Sequence, residues 1–213
     1  MKVLLINGSS NENGCTFTAL NEVAIVLNQE GIETEIIQLG AKEYHDCIGC
    51  GLCRSKLNGK CIYDDVVNDL VEKTKEADGF IFGSPVYYAH PSGRLISVLD
   101  RLFFAGSRVP AGNPFRLKPA TAVVSCRRAG STATIDQLNK YFLINQMPVI
   151  SSSYWNMVHG SKPEDVLNDK EGLQTMRHLA KNMSYYLKLI QLGKEHNIIP
   201  PQNEKKEMTN FIR

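Results

Sequence analysis

Residues 3–16 read Val-Leu-Leu-Ile-Asn-Gly-Ser-Ser-Asn-Glu-Asn-Gly-Cys-Thr, and they are the strongest indication of the fold in this chain. Its first four residues are all apolar, which is typical of a parallel strand buried on both faces, and the Gly and Ser that follow predict a turn. From Thr16 onward apolar residues recur at intervals of three and four, which predicts a helix that Gly31 ends. A buried strand that runs into a helix through a short polar loop is the repeating unit of an α/β fold.

The same alternation continues along the chain. Four more strands are predicted at residues 32–39, 79–83, 120–125 and 148–150, with helices between them and a long last helix over residues 173–192. We therefore expect a five-stranded parallel sheet with helices on both faces, whose ligands bind at the carboxyl ends of the strands. The predicted domain is residues 1–192, with a Cys-rich loop at 40–63, a surface insertion at 105–118 and an extended tail at 193–213.

Composition excludes several classes of function. The 213 residues carry 24 Lys and Arg against 22 Asp and Glu, a net charge of +2 at pH 7, so no nucleic-acid partner is expected. The N-terminal apolar run is too short for a signal peptide, and no segment has the length of a membrane span. We expect a cytoplasmic protein whose six cysteines are thiols, redox groups or metal ligands rather than a disulfide framework.

The loop after the first predicted strand has the composition of a phosphate site. Residues 8–16 combine Gly, Ser, Asn and Thr immediately before a helix, whose N-terminal N–H groups and dipole favour an anion. It is neither a Walker A loop nor Gly-x-Gly-x-x-Gly, so a terminal monophosphate such as that of FMN fits best. The same residues also suit an ordinary turn with Ser and Asn as helix caps.

Two further loops at strand ends suit a flat ring. Tyr87 and Tyr88 follow the third predicted strand and offer aromatic surface, although they also suit a purely packing role. After the fourth strand, Arg127 and Arg128 precede Gly130, and a cation there would stabilise a reduced flavin, hold a phosphate, or lie in solvent. A phosphate loop followed by an aromatic loop indicates a flavin site.

These two motifs, Gly-Ser-Ser-x-x-x-Gly-Cys-Thr and Gly-Ser-Pro-Val-Tyr-Tyr, resemble those of the NADPH-dependent FMN reductase and iron–sulfur flavoprotein group. The resemblance covers residues 1 to about 160 and implies a flavodoxin-like three-layer sandwich with strand order 2-1-3-4-5. Asn11 and Cys15 depart from the family pattern, which predicts weaker phosphate affinity. The resemblance implies FMN contacts at Ser9, Asn11, Asn13, Cys15, Thr16, Pro85, Val86, Tyr87, Tyr88, Ser125, Arg128, Ala129 and Gly130, with Tyr87, Tyr88 and Arg128 tuning the ring.

A compact cysteine motif forms the third feature. Cys47, Cys50 and Cys53 stand three residues apart, and Cys61 follows after seven more. Four such thiolates can hold one cuboidal cluster, and the spacing resembles the motif of the iron–sulfur flavoproteins, which implies a [4Fe–4S] cluster that passes electrons to FMN. A thiol-redox loop remains open, as does a zinc site, although zinc usually takes two separated Cys-x-x-Cys pairs.

Together these features predict an FMN-dependent oxidoreductase that passes electrons from NAD(P)H or a redox partner to a quinone, a free flavin or another acceptor. A non-enzymatic flavodoxin-type carrier and a thiol-based redox sensor are the alternatives, and the near-neutral charge favours the enzyme over an acidic carrier. Trp155 and His159 lie in a segment that either borders the substrate pocket or anchors a neighbouring subunit. That segment and the tail predict a homodimer or homotetramer.

Overall fold

The computed structural model describes residues 1–205, 207 and 209, and it consists of one sheet between two layers of helices. The strands are β1 (Lys2–Asn7), β2 (Glu33–Gln38), β3 (Gly79–Tyr87), β4 (His90–Pro91), β5 (Ala120–Cys126) and β6 (Met157–His159). The helices are α1 (Cys15–Gln29), α2 (Leu52–Ser55), α3 (Val66–Glu76), α4 (Gly93–Gly106), α5 (Ser131–Ile144), α6 (Pro163–Asn168) and α7 (Lys170–Glu195).

The main sheet is parallel throughout. Strands β2, β1, β3, β5 and β6 lie side by side in that order, and β4 pairs antiparallel with the end of β3 as a short hairpin. With the hairpin strand set aside, this is the predicted order 2-1-3-4-5. The prediction of a flavodoxin-like parallel sheet with helices on both faces is confirmed.

Alternate residues of β1 point into two separate cores. Leu4 and Ile6 pack with α3, α4 and α5 on one face of the sheet, while Val3 and Leu5 pack with α1, α6 and α7 on the other. All four side chains are almost completely buried. A strand buried on both faces must be apolar at every position, which is the reason for the continuous apolar run.

The predicted position of the fifth strand was wrong. Val149 forms only an isolated bridge to Ala120, and the parallel ladder beside β5 is made by β6, in which Val158 pairs with Ser125. Asn156 holds the segment before β6 beside β5, because its side-chain amide donates to the Thr121 hydroxyl at 2.8 Å. A short apolar run such as 148–150 indicates burial, and burial alone does not determine which residues continue a ladder.

Two other predicted boundaries also differ from the structure. The insertion at 105–118 was expected on the surface, but Val109 and Phe115 are buried, and Gly106 leaves the space that the Phe115 ring fills. The last helix continues through Gly193 to Glu195, so the described tail begins later than expected. Among the described residues, the structure contains no helix long and apolar enough to cross a membrane.

Candidate functional site

The loop between β1 and α1 is held by its own polar groups. The Ser9 hydroxyl accepts a hydrogen bond from the Asn11 backbone N–H at 3.1 Å, and the Asn11 side-chain oxygen accepts from the Asn13 N–H at 3.2 Å. Helix α1 begins directly after Gly14, which offers no side-chain cap. The first-turn N–H groups are therefore left for an anion, the arrangement that helix N-termini offer to phosphate.

The second wall of the site is strand rather than loop. The sequence predicted a loop from Gly83 onward, but β3 continues to Tyr87 and turns back through Tyr88 and Ala89 into β4. Both turn residues have positive φ, 52° and 59°, a conformation that costs a non-glycine residue energy and needs support from its surroundings. Val86 and Tyr87 pair with β4, and this pairing extends the strand past the Ser-Pro sequence, where a turn was predicted.

One pocket of about 300 Å³ lies between these two walls and the ends of β5 and β6. That volume is at the lower end of the usual range for cofactor sites. Thr16 and Ser125 connect two of the walls, because their hydroxyl oxygens lie 2.8 Å apart. Of the residues predicted to contact FMN, those lining this pocket are Ser9, Asn11, Cys15, Thr16, Pro85, Val86, Tyr87 and Ser125.

Five of the predicted FMN contacts do not line the pocket. Tyr88 is fully exposed at the hairpin turn, and Arg128 and Ala129 are exposed in the loop after β5. Gly130 instead supports the hairpin: a Cβ built on it would lie 2.8 Å from Cα of Ala89. Asn13 belongs to this group as well, at the outer side of the first loop.

The pocket also has lining residues beyond the predicted FMN contacts. Apart from Gly14, they come from the end of β5 and from the loop after β6, and two of them, Arg127 and Lys162, are cations. Arg127 is one of the two arginines that the sequence suggested for a reduced flavin or a phosphate. The loop after β6 is held by Asp165, whose carboxylate accepts from the N–H groups of Ser161 and Lys162 at 2.9 and 3.2 Å. The remaining unpredicted residues are Gly14, Cys126, Gly160, Ser161 and Pro163.

The aromatic residues before β6 lie outside the pocket. Tyr154 and Trp155 are about half exposed and do not line the pocket. His159 ends β6, where its backbone N–H donates to Asp169 at 2.7 Å. Only the residues that directly follow the strand, 160–163, reach the pocket, as expected for the carboxyl end of a parallel strand.

The two cysteines of the pocket are neutral thiols at ordinary pH. Burial raises the pKa of Cys15, with a further rise from the nearby carboxylates of Asp165 and Glu164, and burial also raises the pKa of Cys126. Neutral thiols add no negative charge beside an anion. They are consistent with a phosphate at the start of α1.

A second and much smaller pocket, of about 20 Å³, is lined by all four cysteines of the compact motif. Cys53 is buried in α2, Cys61 is partly buried, and Cys47 and Cys50 are exposed. The two intervening glycines, Gly49 and Gly51, both have positive φ, and this left-handed backbone wraps the loop around the pocket.

The four thiols line a small cavity and do not converge on a single point. In the described part of the chain, no three His, Cys, Asp or Glu side chains are close enough to hold a single metal ion. A tetrahedral zinc site needs all its sulfurs within about 2.3 Å of one point. Four thiols that do not converge on one point match the ligand set of a cuboidal cluster, in which each sulfur binds a different iron.

The family model described as NADPH-dependent FMN reductase matches residues 1–162. The chain belongs to the NADPH-dependent FMN reductase family. This confirms the resemblance inferred from the two loop motifs and the prediction of an FMN reductase-like enzyme. The matched region contains the whole cysteine pocket and every lining residue of the larger pocket except Pro163.

Relatives of this FMN reductase family member are named iron–sulfur flavoproteins. One from Methanocaldococcus jannaschii is 39% identical over 199 residues, covering 89% of the chain and 99% of the relative. A second from the same organism is 31% identical and covers 83% of the chain and 92% of that relative. One from Methanosarcina thermophila is 28% identical, with coverage of 92% and 100%.

Solved structures with the same fold include several flavoproteins. RosB with a bound flavin phosphate intermediate aligns with a TM-score of 0.69 at 15% identity, covering 100% of this chain and 93% of RosB. The NAD(P)H:(acceptor) oxidoreductase FerB of Paracoccus denitrificans aligns with a TM-score of 0.64 at 11% identity, covering 88% and 97%. At these identities the likeness concerns the fold of the FMN reductase family member alone.

Proposed function

We propose that this protein is an FMN-dependent oxidoreductase that also carries a [4Fe–4S] cluster and passes electrons from NAD(P)H or a redox partner to an acceptor such as a quinone or a flavin. The observation that carries the proposal is the presence of two separate pockets in one chain. One joins a helix N-terminus to the ends of three strands, and the other is lined by four cysteines. The names of the relatives support the same pairing of centres.

The residues of the larger pocket fit FMN. The uncapped start of α1, with Ser9 and Thr16, would hold the phosphate, and Lys162 would supply a positive charge beside it. The isoalloxazine would lie along Pro85, Val86 and Tyr87, with Ser125 at its edge. Asn13, Tyr88 and the loop of Arg128, Ala129 and Gly130 would then form the rim and position the hairpin.

Bound FMN would supply the electron-transfer chemistry, and the protein would bind and orient it. Pro85 and Val86 line the pocket at the end of β3, and their apolar surface would keep water from one side of a bound ring. Arg127 lies in the same pocket and would place a positive charge beside the anionic groups. The neutral thiol of Cys15 avoids a repulsive charge at the phosphate end.

The cysteine pocket fits a cuboidal cluster for a separate reason. Four thiols line one cavity, and backbone N–H groups near Gly49 and Gly51 can approach cluster sulfides because neither residue has a side chain. We propose Cys47, Cys50, Cys53 and Cys61 as the four ligands. The cluster would supply one-electron transfer beside the flavin, because a [4Fe–4S] cluster takes up one electron at a time.

Anaerobic purification with flavin, iron and acid-labile sulfide analysis tests both centres. We expect one FMN, four irons and four sulfides per chain. Cys53→Ser should lose iron and sulfide and keep the flavin, whereas Cys126→Ser, a buried cysteine outside the motif, should keep its iron. A protein with FMN and no iron would remove the cluster, and a colourless protein that does not bind added FMN would remove the flavin.

A kinetic assay separates the enzyme from an electron carrier. Steady NAD(P)H oxidation with a quinone or free flavin as acceptor is the result expected of a reductase. Reduction by a protein partner alone would instead assign the role of a flavodoxin-type carrier. The acidic docking face of such a carrier is not expected at a net charge of +2.

The predicted homodimer or homotetramer remains a proposal. Tyr154 and Trp155 beside β6 and Tyr185 and Tyr186 on α7 are between 46% and 61% exposed, which is unusual for aromatic side chains. Light scattering during gel filtration measures the assembly directly, and a monomer at micromolar concentration would contradict it.

A further inference from the structure

Arg101 of α4 is a buried cation beside the cysteine pocket. Only 2% of the residue is exposed, and it is among the largest fully buried side chains of the described chain. Its two terminal nitrogens donate to the Asp65 carboxylate at 2.7 and 2.8 Å, and one of them also donates to the His45 carbonyl at 3.2 Å. A guanidinium so buried remains charged, because arginine is not deprotonated in proteins.

The third nitrogen of Arg101 is directed to sulfur. Its Nε donates to Sγ of Cys61 at 3.2 Å, and both residues line the cysteine pocket. A neutral thiol is a weak acceptor and a cysteine sulfur that carries negative charge is a strong one, so this contact suits a sulfur with anionic character. None of the other three cysteines of the motif receives a side-chain hydrogen bond in the described structure.

Cys61 is also fixed from α3. The Asn68 side-chain oxygen accepts from the Cys61 N–H at 2.7 Å, and its amide donates to the Cys61 and Tyr63 carbonyls at 3.2 and 3.1 Å. The backbone of Cys61 is therefore held by one helix and its sulfur by another. Cys47 and Cys50, by contrast, are exposed on their loop.

A purely structural role would account for only part of this arrangement. The Arg101–Asp65 pair joins α4 to the start of α3, where Asp65 also accepts from the Val67 N–H at 3.1 Å. That pair uses the two terminal nitrogens and leaves Nε free to bond any nearby acceptor. The acceptor that the fold provides is the sulfur of a proposed cluster ligand.

We propose that Arg101 is a positioning residue that holds Cys61 as the fixed ligand and raises the midpoint potential of the [4Fe–4S] cluster, an inference that depends on the proposed function. Hydrogen bonds to the sulfurs and the local charge are among the factors that set such potentials. A permanent positive charge beside a ligand sulfur stabilises the reduced cluster, which carries one more electron. The buried position of Arg101 strengthens the effect.

Redox titration of the anaerobically purified holoprotein, followed by visible absorbance and electron paramagnetic resonance, tests this assignment. Arg101→Met should lower the ratio of reduced to oxidised cluster at least about tenfold at a fixed solution potential, equivalent to about 59 mV for one electron. Arg101→Lys keeps the charge and should restore part of the shift. Asp65→Asn removes a negative charge and should shift the potential in the opposite direction, and Asn still caps α3.

Arg94→Met is the matched control. Arg94 lies on the same helix and donates to the Lys42 carbonyl at 2.8 Å on the exposed side, so its removal should leave the potential unchanged. If Arg101→Met loses its cluster, the upward shift in Asp65→Asn supports the inference and an unchanged potential overturns it.

The outcomes distinguish this inference from the proposed function. Wild-type protein without iron and sulfide would overturn both. If the wild-type protein holds a cluster and Arg101→Met has the same cluster potential, the role of Arg101 is overturned and the cluster proposal stands. The same conclusion follows if Arg101→Met and Asp65→Asn shift the potential in the same direction.

Discussion

The hydroxyl oxygens of Thr16 and Ser125 lie 2.8 Å apart, although 109 residues separate them in the chain. Both residues are at least 96% buried. The contact connects the first turn of α1 to the end of β5 beneath the larger pocket. It makes two loops that are distant in sequence parts of one site.

We expect Thr16→Val and Ser125→Ala each to lower the free energy of unfolding by about 1–2 kcal/mol, because each leaves the other buried hydroxyl without its partner. The double variant should lose less than the sum of the two single variants. Urea unfolding of the FMN-free protein measures all three changes. Strictly additive losses would show that the contact contributes no coupling.

Lys162→Gln should weaken FMN binding by about 1 kcal/mol, a rise in Kd of about fivefold, because a cation at the phosphate end would be lost. Riboflavin has no phosphate, so its affinity should not change. Lys170→Gln, an exposed charge change at the start of α7, is the control. Fluorescence titration measures each Kd, and an equal loss for riboflavin would contradict the assignment of Lys162 to the phosphate.

Gly130→Ala should destabilise the protein by about 2–4 kcal/mol, through backbone strain and a clash with the hairpin. Its φ is +92°, and the added Cβ would lie 2.8 Å from Cα of Ala89 and 3.0 Å from Val86. Gly112 has a φ of +100° with no atom within 4 Å of such a Cβ, so Gly112→Ala has the backbone strain without the clash. Thermal unfolding measures the loss of stability in each variant. Equal losses would show that Gly130 does not support the hairpin.

Stability should fall in acid partly through Glu35. Hydrogen bonds from Lys2 and then Lys73 lower the pKa of this carboxyl below its ordinary value of 4.5. A lowered folded pKa contributes stability above pH 4.5, and that contribution is lost as the pH falls through the folded pKa.

Glu35→Gln should therefore flatten the decline in unfolding free energy below about pH 5, by no more than about 1 kcal/mol because the ion pairs are partly exposed. Glu33→Gln removes a carboxylate that is 69% exposed in its side chain and should change the profile less. Urea unfolding from pH 3 to 7 measures both. An unchanged profile in Glu35→Gln would refute the role of this carboxyl.

Much of the architecture was determined by local sequence. The apolar run at residues 3–6 is sufficient to define a strand buried on both faces, and the Gly and Ser that follow define the loop that precedes α1. The family was evident from two loop motifs because a phosphate site is built from backbone N–H groups of consecutive residues, which a short stretch of sequence specifies. The cysteine motif was visible for the same reason.

Tertiary structure decided the rest, because those features depend on residues that are far apart in sequence. Pairing with β5 placed the fifth sheet strand at β6 and so brought Lys162 to the pocket. Hairpin pairing extended β3 and directed Tyr88 outward. Arg101 is one polar residue in an amphipathic helix, and nothing local distinguishes it from a surface charge. Only the packing of α4 against α3 and the Cys-rich loop buries it against Cys61, since burial is a property of the assembled layers.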